Sequence, residues 1–247
     1  MKGQGGGGTA RGGGKNRVGG GSVAVEKTKA RQTAVIDANV MALREALFNE
    51  NGKDKDVTQG LAKSFLEYTI NDAQYSISFA TYLSDDDLDW AFEITKEHMF
   101  AIYDACGFGW DNDDKMEELT EKGARFLVVR DSRRNIQGFV HFRFTVQGEV
   151  LDQMAGETCL YVMDIHLSSE LQRKGLGKHM LVLLELMARR EKMSRVSLPV
   201  FNGDNLTVAW LGKTGRGFVN DESYAELGFD PSVEVGIIDD CRILCSI

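Results

Sequence analysis

The sequence predicts a mixed α/β domain in which helices flank a mostly antiparallel sheet. Its 247 residues are 43% hydrophobic, enough to fill one core without requiring a second. Helical patterns come first along the chain, and an antiparallel meander follows them. A strand, a glycine-rich loop, a helix and a strand come after the meander. This order of elements is typical of a mixed sheet with helices on its faces.

The first half of the chain shows three helical patterns. Apolar residues recur at spacings of three and four in 34–50 and again in 59–70, which predicts two packing helices. Ser84 followed by three aspartates provides a capping hydroxyl and negative charge at the start of a third helix, Leu88–Cys106. This third helix is the clearest of the three.

The second half contains strand patterns and one long helix. Alternating apolar residues predict two strands joined by a turn at 131–138, then a strand that leads into a glycine-rich loop. The predicted strands are 125–130, 139–146, 159–167, 196–201 and 233–244, with a helix from Leu176 to about Lys192.

Charge is distributed unevenly along the chain. Residues 1–31 carry seven basic side chains and one acidic one, a charge of +6, so the total of -8 leaves -14 on the rest. An acidic body attracts a basic ligand and repels nucleic-acid phosphate. We therefore expect a basic protein segment as the partner, with no direct nucleic-acid binding.

The N-terminal segment has the composition of a disordered tail. Residues 1–22 contain 11 glycines and few apolar side chains, too few to offset the cost of ordering the chain. We predict a Gly-rich basic tail over 1–30 and one domain over 31–247. Short apolar runs and the lack of a secretion signal favour an intracellular protein without membrane spans. The four cysteines show no metal-ligand spacing, so no metal is expected.

A loop before the long helix carries the strongest chemical signal. Residues 172–178 read Q-R-K-G-L-G-K, with two glycines that allow backbone amides to approach a ligand at the start of a helix. Its basic side chains would assist in binding a pyrophosphate. The spacing differs from the Walker and dinucleotide-binding motifs. The spacing of the two glycines alone does not distinguish a phosphate-binding loop from an ordinary loop.

The string Q-R-K-G-L-G resembles the Q/R-x-x-G-x-G/A motif of the GNAT acetyltransferase superfamily. The same resemblance includes Asn205 in the following loop and Tyr224, which begins Y-A-E-L-G-F. It implies a sheet that splays between the strands at 159–167 and 196–201 and opens a slot for acetyl-CoA. The backbone at the end of the first strand would bind the pantetheine arm and thioester. The implied cofactor-binding residues are Ile165, His166, Leu167, Arg173, Lys174, Gly175, Leu176, Gly177, Lys178 and Asn205.

Further strings resemble the histone N-alpha-acetyltransferases of the NatD type. They are L-D-W-A-F-E-I-T-K at 88–96, G-W at 109–110, H-F-R-F at 141–144 and L-M-A at 186–188. In that subfamily the substrates are histone H4 and the two-A histone. The resemblance therefore implies acetylation of a free N-terminal amine. We further expect a monomer located in the nucleus and cytoplasm.

The resemblance also implies roles for individual side chains. Asp164 stands where the subfamily has a proposed glutamate base, although a strand aspartate can merely bond a backbone amide. Tyr103 matches a substrate-contacting tyrosine, or it is a core aromatic. Tyr224 would be the acid for the leaving thiolate, with packing as the alternative. Phe108 and Tyr161 would bind the substrate.

The histidines and cysteines show no sequence pattern that predicts a catalytic role. The imidazoles of His98, His141, His166 and His179 show no carboxylate or thiol partner at a recognisable spacing, and His166 would contribute only its backbone. The cysteines lack a neighbouring histidine, so direct transfer without an acyl-enzyme is expected.

Departures from the subfamily weaken the expected selectivity for a Ser-Gly-Arg-Gly terminus. Subfamily residues are replaced at Thr145, Met163, Pro199 and Cys241, and an insertion covers about 212–223. Two alternatives remain, an acetyltransferase of lysine or small amines and a non-catalytic CoA-binding adaptor. An α-amine has a lower pKa than lysine, so its neutral fraction at pH 7 is larger by roughly a few hundred-fold. A modest base should therefore prefer it.

Overall fold

A sheet of eight strands lies at the centre of the part of the chain that the computed structural model describes. The described residues are 20–105, 107, 109–147, 156–201, 204–216, 218–220 and 241–246. The strand order is β1-β2-β3-β4-β5-β6-β8-β7. All neighbouring strands are antiparallel except β5 and β6, which are parallel. The predicted mixed, mostly antiparallel α/β fold is thus confirmed.

The elements have the following bounds. The strands are β1 Glu67–Ile70, β2 Ala73–Ala80, β3 Arg125–Arg130, β4 Ile136–Gln147, β5 Glu157–Leu167, β6 Arg195–Phe201, β7 Val219–Asn220 and β8 Cys241–Ser246. The helices are α1 Gly20–Leu47, α2 Asp85–Ala105, α3 Asn112–Thr120, α4 Leu176–Arg190 and α5 Asn205–Thr214, with a short 3-10 turn at Lys63–Phe65. Within the described residues, no helix is both long and apolar enough to span a bilayer.

Helices cover both faces of the sheet. On one face α4 buries its apolar stripe, including Met180, Leu183 and Leu184, and α1 adds Ala46. On the opposite face α2 and α3 bury a second cluster that contains Ala91, Ile94 and Leu119 together with Phe126 and Phe139 of the sheet. The two clusters divide the core into two layers, and the site described below lies at the edge of the second layer.

A bulge in β5 decides which face its functional side chains occupy. His141 of β4 lies opposite Asp164 whereas Phe142 lies opposite Val162, so Met163 is an extra residue in β5. Side chains alternate between the faces of a strand, and an inserted residue reverses that alternation. Val162 therefore packs in the α4 layer. Asp164 points instead to the face that carries α2 and α3, where it meets Lys115 of α3.

The helix predicted over 59–70 is wrong. This segment contains the short 3-10 turn and β1, which forms a hairpin with β2 in the register Ile70 opposite Ala73. The two loop residues, Asn71 and Asp72, both have positive φ, 46° and 66°. That is the turn geometry which matches the twist of paired strands, and Asn and Asp tolerate it.

The first helix is longer than predicted. The sequence predicts that this helix begins at Ala34 and that residues 1–30 form a tail. In the structure, α1 begins at Gly20. Alanine, lysine, glutamate, glutamine and arginine dominate 24–34, and these residues favour helix even without an apolar face. Residues 20–30 of the predicted tail are therefore helical, and 1–19 lie outside the described residues.

The second half agrees closely with the predicted pattern. Strands β3 to β6 and helix α4 lie within a few residues of their predicted bounds. Helix α3 was not predicted because it is short and mostly polar. Its N-cap, Asp111, accepts hydrogen bonds from the backbone of Asp113 and Asp114. The last strand, predicted over 233–244, is observed at Cys241–Ser246, and 233–240 lie outside the described residues.

Candidate active site

A cleft opens where the parallel strands β5 and β6 part. Their pairing comprises Cys159 with Arg195, Leu160 with Val196 and Tyr161 with Ser197, and it stops there. The splay implied by the resemblance is confirmed. The resulting cleft has a volume of about 1080 Å³ and is lined by the parted ends of both strands, α2, α5 and the loop before α4. A cleft of this volume is large enough for a cofactor-sized ligand.

The loop before α4 is held in a shape suited to an anion. Gly175 is the N-cap of α4 with φ 88°, a conformation that side chains other than glycine rarely adopt. A Cβ at this position would lie 2.6 Å from the Tyr68 hydroxyl, which itself donates a hydrogen bond to the Lys174 carbonyl at 3.0 Å. The first N–H groups of a helix lack intrahelical acceptors and carry the positive end of the helix dipole.

The second glycine fits against α5. A Cβ on Gly177 would lie 3.1 Å from the Trp210 ring, so glycine allows α5 to pack closely over the start of α4. Arg173 and Lys178 line the same cleft and add cationic donors. Free backbone amides, a helix N-terminus and two cations together match the needs of a pyrophosphate. The residues present therefore fit the pyrophosphate of CoA.

Most of the implied cofactor-binding residues meet in the cleft. The lining residues include Ile165, His166, Leu167, Arg173, Gly175, Gly177 and Lys178. The side chain of Leu176 is instead fully buried in the core. Lys174 contributes its carbonyl to Tyr68, and Asn205 is exposed between the lining residues Asp204 and Leu206.

Asp164 is the buried acid of the cleft. Its side chain is 5% exposed, and its Oδ2 lies 3.4 Å from Nδ1 of His141. Its Oδ1 lies 3.6 Å from Nζ of Lys115 and 3.4 Å from Nε2 of His166. Burial by itself would raise the pKa of Asp164, but Lys115 and the two histidines hold it well below its usual range. Asp164 is therefore an ionised carboxylate at neutral pH.

Lys115 supplies the charge that keeps this carboxylate ionised. Burial disfavours the charged amine, but Asp164 and Glu118 raise the pKa of Lys115 above its usual range. Its Nζ lies 2.7 Å from Glu118, which is partly buried, and this burial together with Asp164 raises the pKa of Glu118. Glu118, His141 and Asp164 could offer ligand atoms within 4.8 Å of one another. The ammonium of Lys115 lies among them and provides the positive charge.

Tyr103 joins α2 to the end of β6. Its ring packs against Phe201 with centroids 4.8 Å apart and against Trp110 at 5.5 Å. Nζ of Lys115 lies 6.0 Å from its ring centroid. Burial raises the pKa of Tyr103 to about 12, so its hydroxyl stays protonated at neutral pH and can donate a hydrogen bond.

The other predicted side chains are distributed more widely. Tyr161 is half-buried on β5 at the last pair with β6. Of the positions that depart from the subfamily, Met163 and Pro199 line the cleft, Thr145 lies opposite Cys159, and Cys241 opposite Phe201. Phe108 and Tyr224 lie outside the described residues.

Two histidines have a carboxylate neighbour that was not predicted from the sequence. His141 and His166 both approach Asp164, and Nδ1 of His166 lies 3.1 Å from Nδ1 of His98. Their spacing gave no signal because three different elements bring them together. The signal that could have been used is the alternation of His166 with Asp164, since residues two apart on a strand share a face.

The comparison with known families agrees with this geometry. The sequence profile described as the acetyltransferase (GNAT) family matches residues 68–215, which is more than half of the chain. This chain belongs to the GNAT acetyltransferase family. The match extends from β1 to the residue after α5, so it includes the cleft, the glycine loop and Asp164. GNAT proteins use acetyl-CoA as the acyl donor.

Solved GNAT structures resemble this one. One of them is a GNAT-family acetyltransferase from Listeria monocytogenes, which is 12% identical to this chain. The superposition covers 73% of this chain and 98% of the Listeria chain, with a TM-score of 0.51. The PaiA N-acetyltransferase from Thermoplasma acidophilum in complex with coenzyme A is 16% identical over 69% of this chain and 98% of its own, with a TM-score of 0.46. NAA60 from Arabidopsis thaliana in complex with a bisubstrate analogue is 12% identical over 69% of this chain and 98% of its own, with a TM-score of 0.44.

Proposed function

We propose that this GNAT protein is an N-alpha-acetyltransferase, which transfers acetyl from acetyl-CoA to the free N-terminal amine of a basic protein. Core histones are the proposed substrates, namely histone H4 and the two-A histone. The observation that carries the proposal is the ionised, buried carboxylate of Asp164, which lines the cleft where β5 and β6 part.

The cleft provides what amine acetylation requires. Transfer needs an amine with a free lone pair, a polarised thioester carbonyl and an exit for the proton that the ammonium loses. The parted backbone of 165–167 can bind the acyl donor, and the loop at 173–178 can hold its pyrophosphate. Cys159 is fully buried in the sheet, which supports direct transfer without an acyl-cysteine.

The electrostatics of Asp164 favour an α-amine over a lysine side chain. A carboxylate whose pKa is held low by Lys115 attracts an ammonium but is a weak base. A weak base serves best on an amine that already loses its proton near neutral pH. The α-amine has a pKa near 7.7 to 8.0, against about 10.4 for lysine.

The charge of the cleft's surroundings supports a basic peptide as the acceptor. The basic side chains of the cleft lie on the glycine loop, on α4 and on α5, at Arg173, Lys178 and Lys213. Glu97 and Asp204 also line the cleft, and Glu93 lies one helical turn before Glu97 on α2. Outside the first 31 residues the chain carries a formal charge of -14. Basic segments such as histone N-termini would be drawn to this surface. The strings shared with the histone-acetylating subfamily lead to the same substrate class.

The proposal is tested with a panel of peptides and the full-length protein. Free N-terminal peptides that begin Ser-Gly-Arg-Gly should be acetylated faster than peptides with neutral or acidic starts. The same peptides with blocked N-termini and free lysines serve as controls. Transfer that occurs only to the lysines would overturn the proposal and favour a lysine acetyltransferase. Binding of acetyl-CoA without transfer to any amine would indicate an adaptor.

A further inference from the structure

Two histidines that the proposed reaction does not yet use form a contact pair beside Asp164. Nδ1 of His98, on α2, lies 3.1 Å from Nδ1 of His166, on β5. One of two imidazole nitrogens at this distance must donate and the other accept. The pair is therefore a hydrogen bond between two neutral rings, or between a neutral ring and a protonated one.

The two histidines lie between the buried carboxylate of Asp164 and a second cleft. The other nitrogen of His166, Nε2, lies 3.4 Å from Oδ1 of Asp164. His166 is 6% exposed, whereas His98 is half-buried. His98 lines both the cleft between β5 and β6 and a neighbouring cleft of about 670 Å³, whose walls include Trp90, Lys96 and Ser169. Asp164, His166 and His98 thus form a row of neighbouring side chains from the buried site to a second opening, in which the 3.4 Å contact between Asp164 and His166 must shorten into a hydrogen bond before a proton can pass.

We propose that His166 and His98 are a proton exit path that carries the proton of the substrate ammonium from Asp164 to water in the second cleft. The inference rests on the proposed function, because it requires an amine acceptor at Asp164. It does not depend on which amine is the acceptor. His98 acts through His166, so its role in this path is that of a positioning and relay residue.

Each proton is accounted for along this path. The relay uses the tautomer of His166 that carries its proton on Nδ1 and leaves Nε2 free to accept. The ammonium gives one proton to Asp164, Asp164 passes a proton to Nε2 of His166, and His166 releases the proton on its Nδ1 to Nδ1 of His98. His98 then releases the proton on its Nε2 to water, and proton exchange with water in the two clefts returns both rings to their starting tautomers before the next turnover. The neutral amine that remains attacks the thioester carbonyl, the C–N bond forms, and the C–S bond breaks. The second amine proton leaves with the CoA sulfur, so one proton per turnover reaches the solvent when the substrate arrives as an ammonium.

The charges around the path suit this direction of transfer. Burial and the neighbouring His166 lower the pKa of His98, while Glu97 on its own helix raises it. A neutral His98 can accept a proton and release it quickly to water. At the other end, Asp164 faces Lys115 from α3 and His141 from β4, and Glu118 lies beyond Lys115. Lys96 and Glu93 line the second cleft.

The kinetic test uses His98→Gln and His98→Ala with the pH dependence of kcat as the readout. Below the pKa of the substrate amine, both variants should lose about 10- to 100-fold in kcat, the usual scale for assisted proton transfer. Above about pH 9 the substrate is already neutral, so their kcat should approach that of the parent. Ser169→Ala, in the same second cleft but outside the path, should keep the parent profile. A His98 defect that is equal at all pH values would indicate a structural role and overturn the relay.

Chemical rescue provides a second readout. Imidazole added at millimolar concentration should restore part of the kcat of His98→Ala below pH 7.5, because the truncated side chain leaves space in the second cleft. The parent and Ser169→Ala should not respond. No response of His98→Ala, in a variant that still binds acetyl-CoA, would count against the relay.

An NMR measurement separates failure of the relay from failure of the proposed function. Ring ¹⁵N shifts should show a hydrogen bond between the two Nδ1 atoms, and His166→Gln should raise the pKa of His98. If the parent acetylates no amine, the proposed function fails and with it the relay, even if the hydrogen bond is present. If the parent is active but the rings titrate independently, the relay fails while the function stands.

Discussion

The charged side chains around Asp164 determine how single substitutions at this site change the stability of the protein. A buried ion pair that loses one partner leaves an uncompensated charge, and this is more costly than never having had the pair. Lys115 is the cation within reach of both Asp164 and Glu118, at 3.6 and 2.7 Å. Without Lys115, the buried carboxylate of Asp164 and the partly buried carboxylate of Glu118 would lie close together with no ammonium between them.

Lys115→Met should therefore lower the free energy of unfolding by about 3–5 kcal/mol at pH 7. Urea denaturation measures the change, and Lys122→Met, at an exposed position, is the matched control. Adding Asp164→Asn to Lys115→Met should recover part of the loss. A loss of under about 1 kcal/mol would show that water reaches the carboxylates.

The pH dependence of stability follows from the same pKa. Since the pKa of Asp164 is lower in the folded protein than in the unfolded chain, its contribution is present above the unfolded value and is lost as pH falls through the folded value. Asp164→Asn should therefore show a smaller loss of stability than the parent between pH 4 and pH 2. Thermal melts over that range measure it, and parallel curves for both proteins would contradict the assignment.

The catalytic role of Asp164 is tested separately. Asp164→Asn keeps the size of the side chain, so acetyl-CoA affinity should persist while kcat on an N-terminal peptide falls by roughly 10²-fold or more at pH 7. Asp164→Glu should retain substantial activity, since a carboxylate at the same position still accepts the proton. If the Asn variant turns over like the parent at pH 7, Asp164 is structural.

The glycine loop gives a prediction about binding alone. Gly175→Asp would introduce strain at φ 88°, a Cβ 2.6 Å from the Tyr68 hydroxyl and a negative charge where a pyrophosphate would bind. Acetyl-CoA affinity by calorimetry should fall by at least about 10-fold, the equivalent of about 1.4 kcal/mol. Gly123→Ala, where a Cβ meets nothing within 4 Å, is the control. Unchanged affinity would remove this loop from the binding site.

At the scale of elements, the sequence predicted those helices and strands whose apolar residues recur with a regular local spacing. Helix α4 and strands β3 to β6 were predicted from apolar spacing, and the glycine loop from its motif. The hairpin of β1 and β2 was missed because Leu61, Phe65 and Leu66 give a helical spacing that competes with the turn signal of Asn71 and Asp72. The bulge at Met163 was missed because it depends on pairing with β4, which is a tertiary property.

The hairpin turn can be tested by substitution. Asp72 has φ 66°, so Asp72→Gly should be neutral or stabilise by up to about 1 kcal/mol. Asp72→Val should destabilise by about 1 kcal/mol or more, because a β-branched residue is strained in this conformation. Urea denaturation distinguishes them, and equal midpoints for the two variants would contradict the turn geometry.

At the scale of the whole molecule, charge should govern how a basic peptide is captured. The screening length falls from about 10 Å at 0.1 M salt to about 3 Å at 1 M. For a Ser-Gly-Arg-Gly peptide we expect kcat/KM to fall several-fold between these salt concentrations, chiefly through KM. A peptide of the same length without basic residues is the control. Equal salt dependence for both peptides would show that the acidic surface does not attract the substrate.

The parting of β5 and β6 also bears on self-association. Strands at the outer edges of a sheet can pair with other molecules and aggregate, and short edge strands reduce that hazard. Here the outer edges are β1, four residues, and β7, two residues. The longer free edges, on 162–167 of β5 and 198–201 of β6, face each other across the cleft, while their other sides pair with β4 and β8. The protein therefore presents these rows of backbone hydrogen-bonding groups to a substrate in the cleft and not at the outer rim of the sheet, where another molecule would add a strand.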